Sequence, residues 1–273
     1  MADLASYGPW ALITGASSGI GRAFSLEIAR AGLSIAVSGR NRGTLEELER
    51  ELTDEGSPAV RVLPCDMGDP DAVRHLSDEL GSVDVGLVVA SAGFGSSGPF
   101  LDSDPVAEAN MVDVNCRALM QVAHTFGRRM LHRDHAGLVL MSSIVAFQGA
   151  PFATNYAATK AYVQSLAEGI AYETRGRGLR VVACATGPVS SGFAARARMN
   201  MANAQSPESV AKGTLANLSR GGTSRPGALS KFLSGSLSTL PRWGRVRVMA
   251  KIMGGMAESS PSDVVAPVAG AHR

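Results

Sequence analysis

Tyr156 and Lys160 stand four residues apart in NYAATKAYVQSLAEGIAYET, a run whose apolar residues recur at helical spacing, so both side chains leave one helix face. That sets an amine beside a phenol. A nearby ammonium favours phenolate, and the expectation is a tyrosine drawn from its ordinary pKa of about 10 toward the range where it exchanges a proton near neutral pH. Ser143, thirteen residues upstream at the end of the apolar run GLVLMSS, can offer a hydroxyl to the same substrate oxygen. A tyrosine and a lysine at this spacing also suit an ordinary amphipathic helix with a solvated lysine, so the pair gains meaning only from its surroundings.

Those surroundings begin at the N-terminus. A short apolar run, Trp10 to Ile13, leads into TGASSGIGRAF and then a helical pattern through Ala31. Strand, glycine-rich turn, helix is the setting in which a phosphate cradle has mechanical meaning. Gly15 suits the tight turn, Gly19 a close backbone approach to a pyrophosphate, and Gly21 close packing of helix on strand. Ser17 and Ser18 add hydroxyls beside the free N–H groups of the helix start. The second strand, LSIAVSGR, ends at Gly39-Arg40, where an acidic residue would bind a ribose 2′-hydroxyl and an arginine a 2′-phosphate. Gly39, Arg40, Asn41 and Arg42 include no carboxylate, which points to NADP(H) rather than NAD(H). The competing reading makes Arg40 and Arg42 solvated charges that open the next helix.

Further along come a polar helix from Asn41 to Glu55, strand AVRVLPCDM closed by Asp66, and a helix capped by Asp69. Strand VDVGLVVA then runs into Ser91-Ala92-Gly93-Phe94-Gly95, small residues that let backbone lie against a flat ligand. A long helix from about Asp104 to Leu131 carries Asn115, and strand Gly137 to Ser142, the Tyr156 helix and strand LRVVACATG follow. This alternation predicts a single-domain α/β fold with a doubly wound parallel sheet of Rossmann type, layered α/β/α.

With 273 residues, 45% apolar and 18% charged, the chain can bury a full core, and a net charge of +2 makes no case for nucleic acid or anionic lipid. The start MADLASYGPW has no basic region followed by a long apolar run, so a cytoplasmic protein is expected. Cys65, Cys116 and Cys184 are far apart in apolar or helical settings, which suits buried thiols rather than disulfides or a metal site.

Taken together, TGASSGIG at 14–21, SAG at 91–93, Asn115, Ser143 and Tyr156-x-x-x-Lys160 resemble the short-chain dehydrogenase/reductase family in its single-domain form, over roughly Pro9 to Phe193. The resemblance implies a nicotinamide cofactor and interconversion of a carbonyl and an alcohol. It makes Tyr156 the general acid/base, has Lys160 lower its pKa and hold the nicotinamide ribose, has Ser143 orient the substrate oxygen, and gives Asn115 a water-linked proton path near Lys160. It adds Ile20 to the glycine turn, sets Asp66 and Met67 at the adenine and Ser91, Ala92 and Gly93 along the cofactor, and puts Gly187, Pro188, Val189 and Ser191 around the carboxamide. Two departures stand out: Ser91 replaces the usual asparagine, and Thr186-Gly187-Pro188 replaces the usual Pro-Gly. Relatives pair through the helices bearing Asn115 and Tyr156, so a homodimer or homotetramer is implied.

Residues 1–225 are read as the cofactor-binding and catalytic domain, including a substrate loop at 189–205, and 226–273 as a basic amphipathic extension with a loose tail. Ser206-Pro207-Glu208 marks a helix start. Phe193, Met199 and Met201 suit either ordinary packing or an apolar ligand, and Phe94, Phe100, Ile144, Phe147 and Phe152 in the neighbouring loops favour a hydrophobic ketone or acyl chain. From Ser209 to Ala257 there is no Asp or Glu. If Arg242 to Met256 is helical, Val246, Met249, Ala250, Met253 and Met256 share a face opposite Arg247 and Lys251. That face can dock on its own domain or a partner subunit or roof an apolar substrate; membrane contact is the least favoured use. The activity expected is NADP(H)-dependent carbonyl/alcohol oxidoreduction on a small molecule, and the rival is a catalytically silent nicotinamide-binding regulatory or scaffold protein.

Overall fold

The computed structural model describes residues 3–193, 197 and 204–256, apart from the side chains of residues 229, 232–234 and 238. Its strands are β1 (Trp10–Thr14), β2 (Ser34–Gly39), β3 (Val60–Pro64), β4 (Val85–Ala90), β5 (Ala136–Ser143), β6 (Leu179–Thr186) and β7 (Gly222–Ser224). All pair in parallel, in the order β3-β2-β1-β4-β5-β6-β7. β2, β4 and β5 are buried at every position, as expected for strands covered by helices on both faces.

Alternate residues of each strand feed two cores. On one side Ile13, Val37, Val89 and Val139 pack under α1 (Gly19–Arg30), α2 (Arg42–Asp54) and α7 (Pro207–Leu215). On the other, Leu12, Ala36, Val88 and Leu138 meet α3 (Pro70–Glu79), α5 (Leu119–Met130) and α6 (Thr154–Glu173). Helix starts follow local chemistry: Asn41, Asp69 and Ser206 each accept a hydrogen bond from a backbone N–H in the first turn of their helix.

The long helical stretch expected from Asp104 to Leu131 is present, with one interruption of its hydrogen-bond pattern. α4 (Pro105–Val112) and α5 are joined by a π-helical turn, Asp113–Ala118, which contains Asn115. Such a turn adds a residue and shifts the phase of the apolar pattern, a change too small in so short a stretch to be told from ordinary scatter in the sequence. Strand β7 and helix α8 (Ala228–Ser238) were not expected either; Gly222-Thr223-Ser224 has no apolar residue to carry an alternating pattern. Helix α9 (Arg242–Met256) closes the described chain. The tail expected beyond it lies outside the described residues.

Winding reverses between β1 and β4, which are neighbours in the sheet although two strands separate them in sequence. Their crossovers diverge to opposite sides, leaving a crevice at the carboxyl ends. Tight glycine packing closes its base, since a Cβ on Gly21 would run into the Gly15 carbonyl. Gly21→Ala should therefore cost about 1–3 kcal/mol in urea denaturation. Gly127→Ala, where an added Cβ inside α5 meets nothing within 4 Å, should gain about 0.5–1 kcal/mol.

Candidate active site

A cleft of about 450 Å³ occupies that crevice. In its floor Gly15 (φ 67°) and Gly19 (φ 55°) take left-handed backbone that side chains disfavour. An added Cβ on Gly15 would stand 2.7 Å from Ala92 Cα, so the turn lies directly on the chain leaving β4. The open side of Gly19 faces Ser191, whose Cβ an added methyl would meet at 3.0 Å. Ser191, after β6, thus borders the same turn, and both residues line the cleft. Ser17, Ser18, Ile20 and Gly21 line the cleft, and Ser18, the N-cap of α1, makes no side-chain cap hydrogen bond. The first N–H groups of α1 thus remain for an anion.

Arg40 lines the cleft, exposed and without a partner among the described residues, whereas Arg42 pairs with Glu46 at 3.7 Å. Asp66 and Met67 line it as well, with Asp66 accepting the Gly68 N–H at 2.9 Å. Ser91, Ala92 and Gly93 follow, and the Ala92 N–H donates to Thr14 Oγ1 at 3.2 Å.

Tyr156 and Lys160 reach the far end of the cleft from α6. Lys160 is 6% exposed; its Nζ donates to the Met141 carbonyl at 2.8 Å and lies 5.6 Å from the Tyr156 ring centroid. Burial pushes its pKa down to about 8. The Tyr156 phenol is pushed up to about 12 by burial, countered in part by a hydrogen bond from Ser143. The sequence expectation of a phenol drawn toward neutrality is therefore corrected for the chain by itself: burial is the largest cause and raises the pKa, and what opposes it is the Ser143 hydrogen bond. Ser143, last residue of β5, also accepts the Val145 N–H at 3.3 Å and faces the Thr186 carbonyl at 3.4 Å.

Asn115 does not line the cleft. It is fully buried, with Nδ2 donating to the Phe94 carbonyl at 2.8 Å and Thr159 Oγ1 at 3.1 Å, and Oδ1 accepting the Phe94 N–H at 3.0 Å. Gly93 separates it from Lys160; an added Cβ there would lie 3.0 Å from Asn115 Oδ1 and 3.5 Å from Lys160 Nζ. Both amide hydrogens of Asn115 are thus committed to protein.

Beside Tyr156 opens a second pocket, about 150 Å³ and mostly apolar. Ser143, Tyr156 and Ser191 are among its few polar groups, Gly187, Pro188 and Val189 form one wall, and Met249, Ile252, Met253 and Met256 of α9 another. The methionine face of α9 thus turns inward. Ile252, not expected from sequence, lines the pocket, while Val246 packs near Gly149. Of the loop residues, Phe94 lines the cleft and Ile144 the pocket, but Phe100 is 48% exposed, Phe147 lies under Arg225 and Phe152 is 36% exposed, so these three line neither. Phe193 packs on the Tyr156 ring at 5.4 Å between centroids, and Met199 and Met201 lie outside the described residues. Thr186, which lines both cavities and accepts from Gln205 Nε2 at 2.8 Å, was missed, although a polar residue ending a strand beside a crevice is a signal. The three cysteines are buried and free. Among the described residues no helix is long and apolar enough to cross a membrane.

A family profile described as short chain dehydrogenase matches residues 9–202. The 7beta-hydroxysteroid dehydrogenase of Clostridium sardiniense is 30% identical over 181 residues, covering 66% of this chain and 69% of that protein. The very-long-chain 3-oxoacyl-CoA reductase of Laccaria bicolor is 31% identical over 175 residues, covering 63% of this chain and 52% of its own, so the match spans about half its length. Among solved structures, a short-chain dehydrogenase from Sphingobium yanoikuyae in complex with NADPH superposes with a TM-score of 0.76 at 25% identity, covering 86% of this chain and 97% of that one.

Burial of Lys160 has a thermodynamic signature. Between about 8 and its ordinary 10.5, the unfolded chain keeps a proton that the folded chain has released, so this group favours folding increasingly as pH rises through that window. The stability of the wild type relative to Lys160→Met, followed by urea denaturation, should rise from pH 8 to 10.5; a constant difference would contradict the buried-amine assignment.

Proposed function

The chain belongs to the short chain dehydrogenase family and is an oxidoreductase, and from that premise we propose that it reduces a hydrophobic ketone or acyl carbonyl with NADPH, or runs the reverse oxidation. The observation that carries this reading is that Tyr156 lines both the polar cleft and the apolar pocket, with Ser143 on the pocket side and Lys160 on the cleft side. A dinucleotide and a carbonyl compound would meet there.

The residues fit an NADP(H) molecule. The left-handed Gly15 and Gly19 and the uncapped start of α1 suit a pyrophosphate, and the unpartnered Arg40 at the end of β2 suits a 2′-phosphate. Asp66 and Met67 would flank the adenine, and Ser91, Ala92, Gly93 and Ser191 would run along the rest. Bound there, the cofactor supplies a hydride for the carbonyl carbon.

The chain's own groups handle the oxygen. A phenol held near 12 keeps its proton at neutral pH and is poised to give it to an oxygen gaining negative charge. Ser143 shares that oxygen and supports the phenolate left behind. Lys160, fixed by the Met141 carbonyl and with a pKa of about 8 still mostly protonated at neutral pH, would hold the nicotinamide ribose and stabilise an anionic phenolate forming beside it. Asn115 keeps Phe94 and Gly93 against the nicotinamide side of the cleft. The roof of Met249, Ile252, Met253 and Met256 excludes water and offers no charge, which favours an uncharged, bulky apolar group next to the carbonyl. A silent binding protein would not need a proton donor shared between two cavities.

The decisive assay is NADPH absorbance decay against a panel of ketones, 3-oxoacyl thioesters and ketosteroids. Tyr156→Phe should bind NADPH and lose at least about a hundredfold in turnover. Arg40→Ala should raise the Kd for NADPH by about tenfold or more, while that for NADH stays level.

A further inference from the structure

Glu108 of α4 is 8% exposed, and no basic side chain pairs with it among the described residues. A carboxyl group in that position is costly unless its acceptor sites are filled. Here both are. Oε1 accepts from Ser96 Oγ at 2.9 Å and Oε2 from Asn155 Nδ2 at 2.7 Å, while the Glu108 backbone carbonyl takes the same amide group at 3.0 Å.

Those two donors belong to the two pieces of chain that hold the Tyr156 ring. Asn155 precedes Tyr156 in the first turn of α6, a helix start with no side-chain cap and no acidic residue of its own. Ser96 follows Gly95, whose bare α-carbon lies on the ring: an added Cβ would stand 3.0 Å from Tyr156 Cδ2. One residue earlier, Asn115 clamps both the N–H and the carbonyl of Phe94. The loop over the ring therefore has two ties, Asn115 at Phe94 and Glu108 at Ser96, and the second also anchors the helix turn from which the ring springs.

We propose that Glu108 is a positioning residue for Tyr156, using one carboxyl group to fix both the loop on which the phenol ring rests and the first turn of the helix that carries it. This builds on the reading of Tyr156 as proton donor. The role needs two hydrogen-bonding atoms in a fork rather than a charge. Glutamine can fill it, because a serine hydroxyl either donates or accepts and the Asn155 amide still finds an oxygen. Leucine, of similar bulk, cannot.

The test compares Glu108→Leu, Glu108→Gln and Tyr156→Phe, using NADPH with whichever ketone of the panel the wild type reduces fastest. Glu108→Leu should lower kcat at least about tenfold with KM for NADPH changed little, since misplacing a reacting group costs turnover rather than cofactor binding. Glu108→Gln should recover most of that loss. A readout independent of turnover is the ultraviolet titration of Tyr156, isolated by subtracting the Tyr156→Phe curve. In Glu108→Leu it should move down from about 12 toward the ordinary value of 10.0 as the loosened ring gains water. A purely structural Glu108 would lower only the thermal midpoint; kcat within about twofold and an unmoved titration in folded Glu108→Leu overturn the proposal. If Glu108→Leu does not fold, Ser96→Ala, which cuts the loop tie alone, is read by the same two measurements, and unchanged values again overturn it. Near-normal turnover of Tyr156→Phe would instead remove the reading of the site itself.

Discussion

A sheet wound to both sides must reverse somewhere, and the reversal between β1 and β4 is the constraint on which the rest of this molecule depends. Because the crossovers part there, the carboxyl ends of neighbouring strands are left uncovered, and backbone polar groups face an opening rather than a helix. The glycine turn after β1, the small residues after β4 and the basic end of β2 all converge on that opening. Removing side chains at Gly15 and Gly21 lets strand, turn and helix close to contact distance, so the floor of the cleft is backbone and its N–H groups stay available.

Electrostatically the far end of the cleft is the reverse of its floor. There a lysine and a tyrosine are taken out of water together, and each is pushed toward its neutral form. Neither group is activated in isolation. On the proposed reading, negative charge developing on the phenol would meet the Lys160 ammonium, whose Nζ lies 5.6 Å from the ring centroid. Hydrogen bonds to Met141, Phe94 and Thr159 hold the surrounding chain still while that happens.

The sheet, the dinucleotide-type turn and the Tyr156 helix were legible because each rests on local pattern: alternating strands and helices, glycines at a turn, a four-residue spacing on one face. Asp69 and Ser206 announced their helices for the same reason. What escaped was set by tertiary packing. The π-helical turn that contains Asn115 alters the apolar pattern too slightly to be read in a short stretch, and the direction of the Tyr156 shift follows from its burial in the folded chain, which spacing does not encode. Phe100, Phe147 and Phe152 have the right chemistry for a pocket and the wrong direction. Glu108 belongs to no motif in the sequence, and its place follows from the hydrogen bond that its helix makes with Asn155 of α6.

Helix α9 lies some ninety residues downstream of Tyr156, yet it walls the pocket that the phenol borders. The reacting groups and the contour they work within are thus written in separate stretches of the gene. On the proposed reading, substitutions among Met249, Ile252, Met253 and Met256 would remodel what the cavity admits without disturbing proton delivery, so selectivity would drift from one descendant to another while the chemistry is inherited intact.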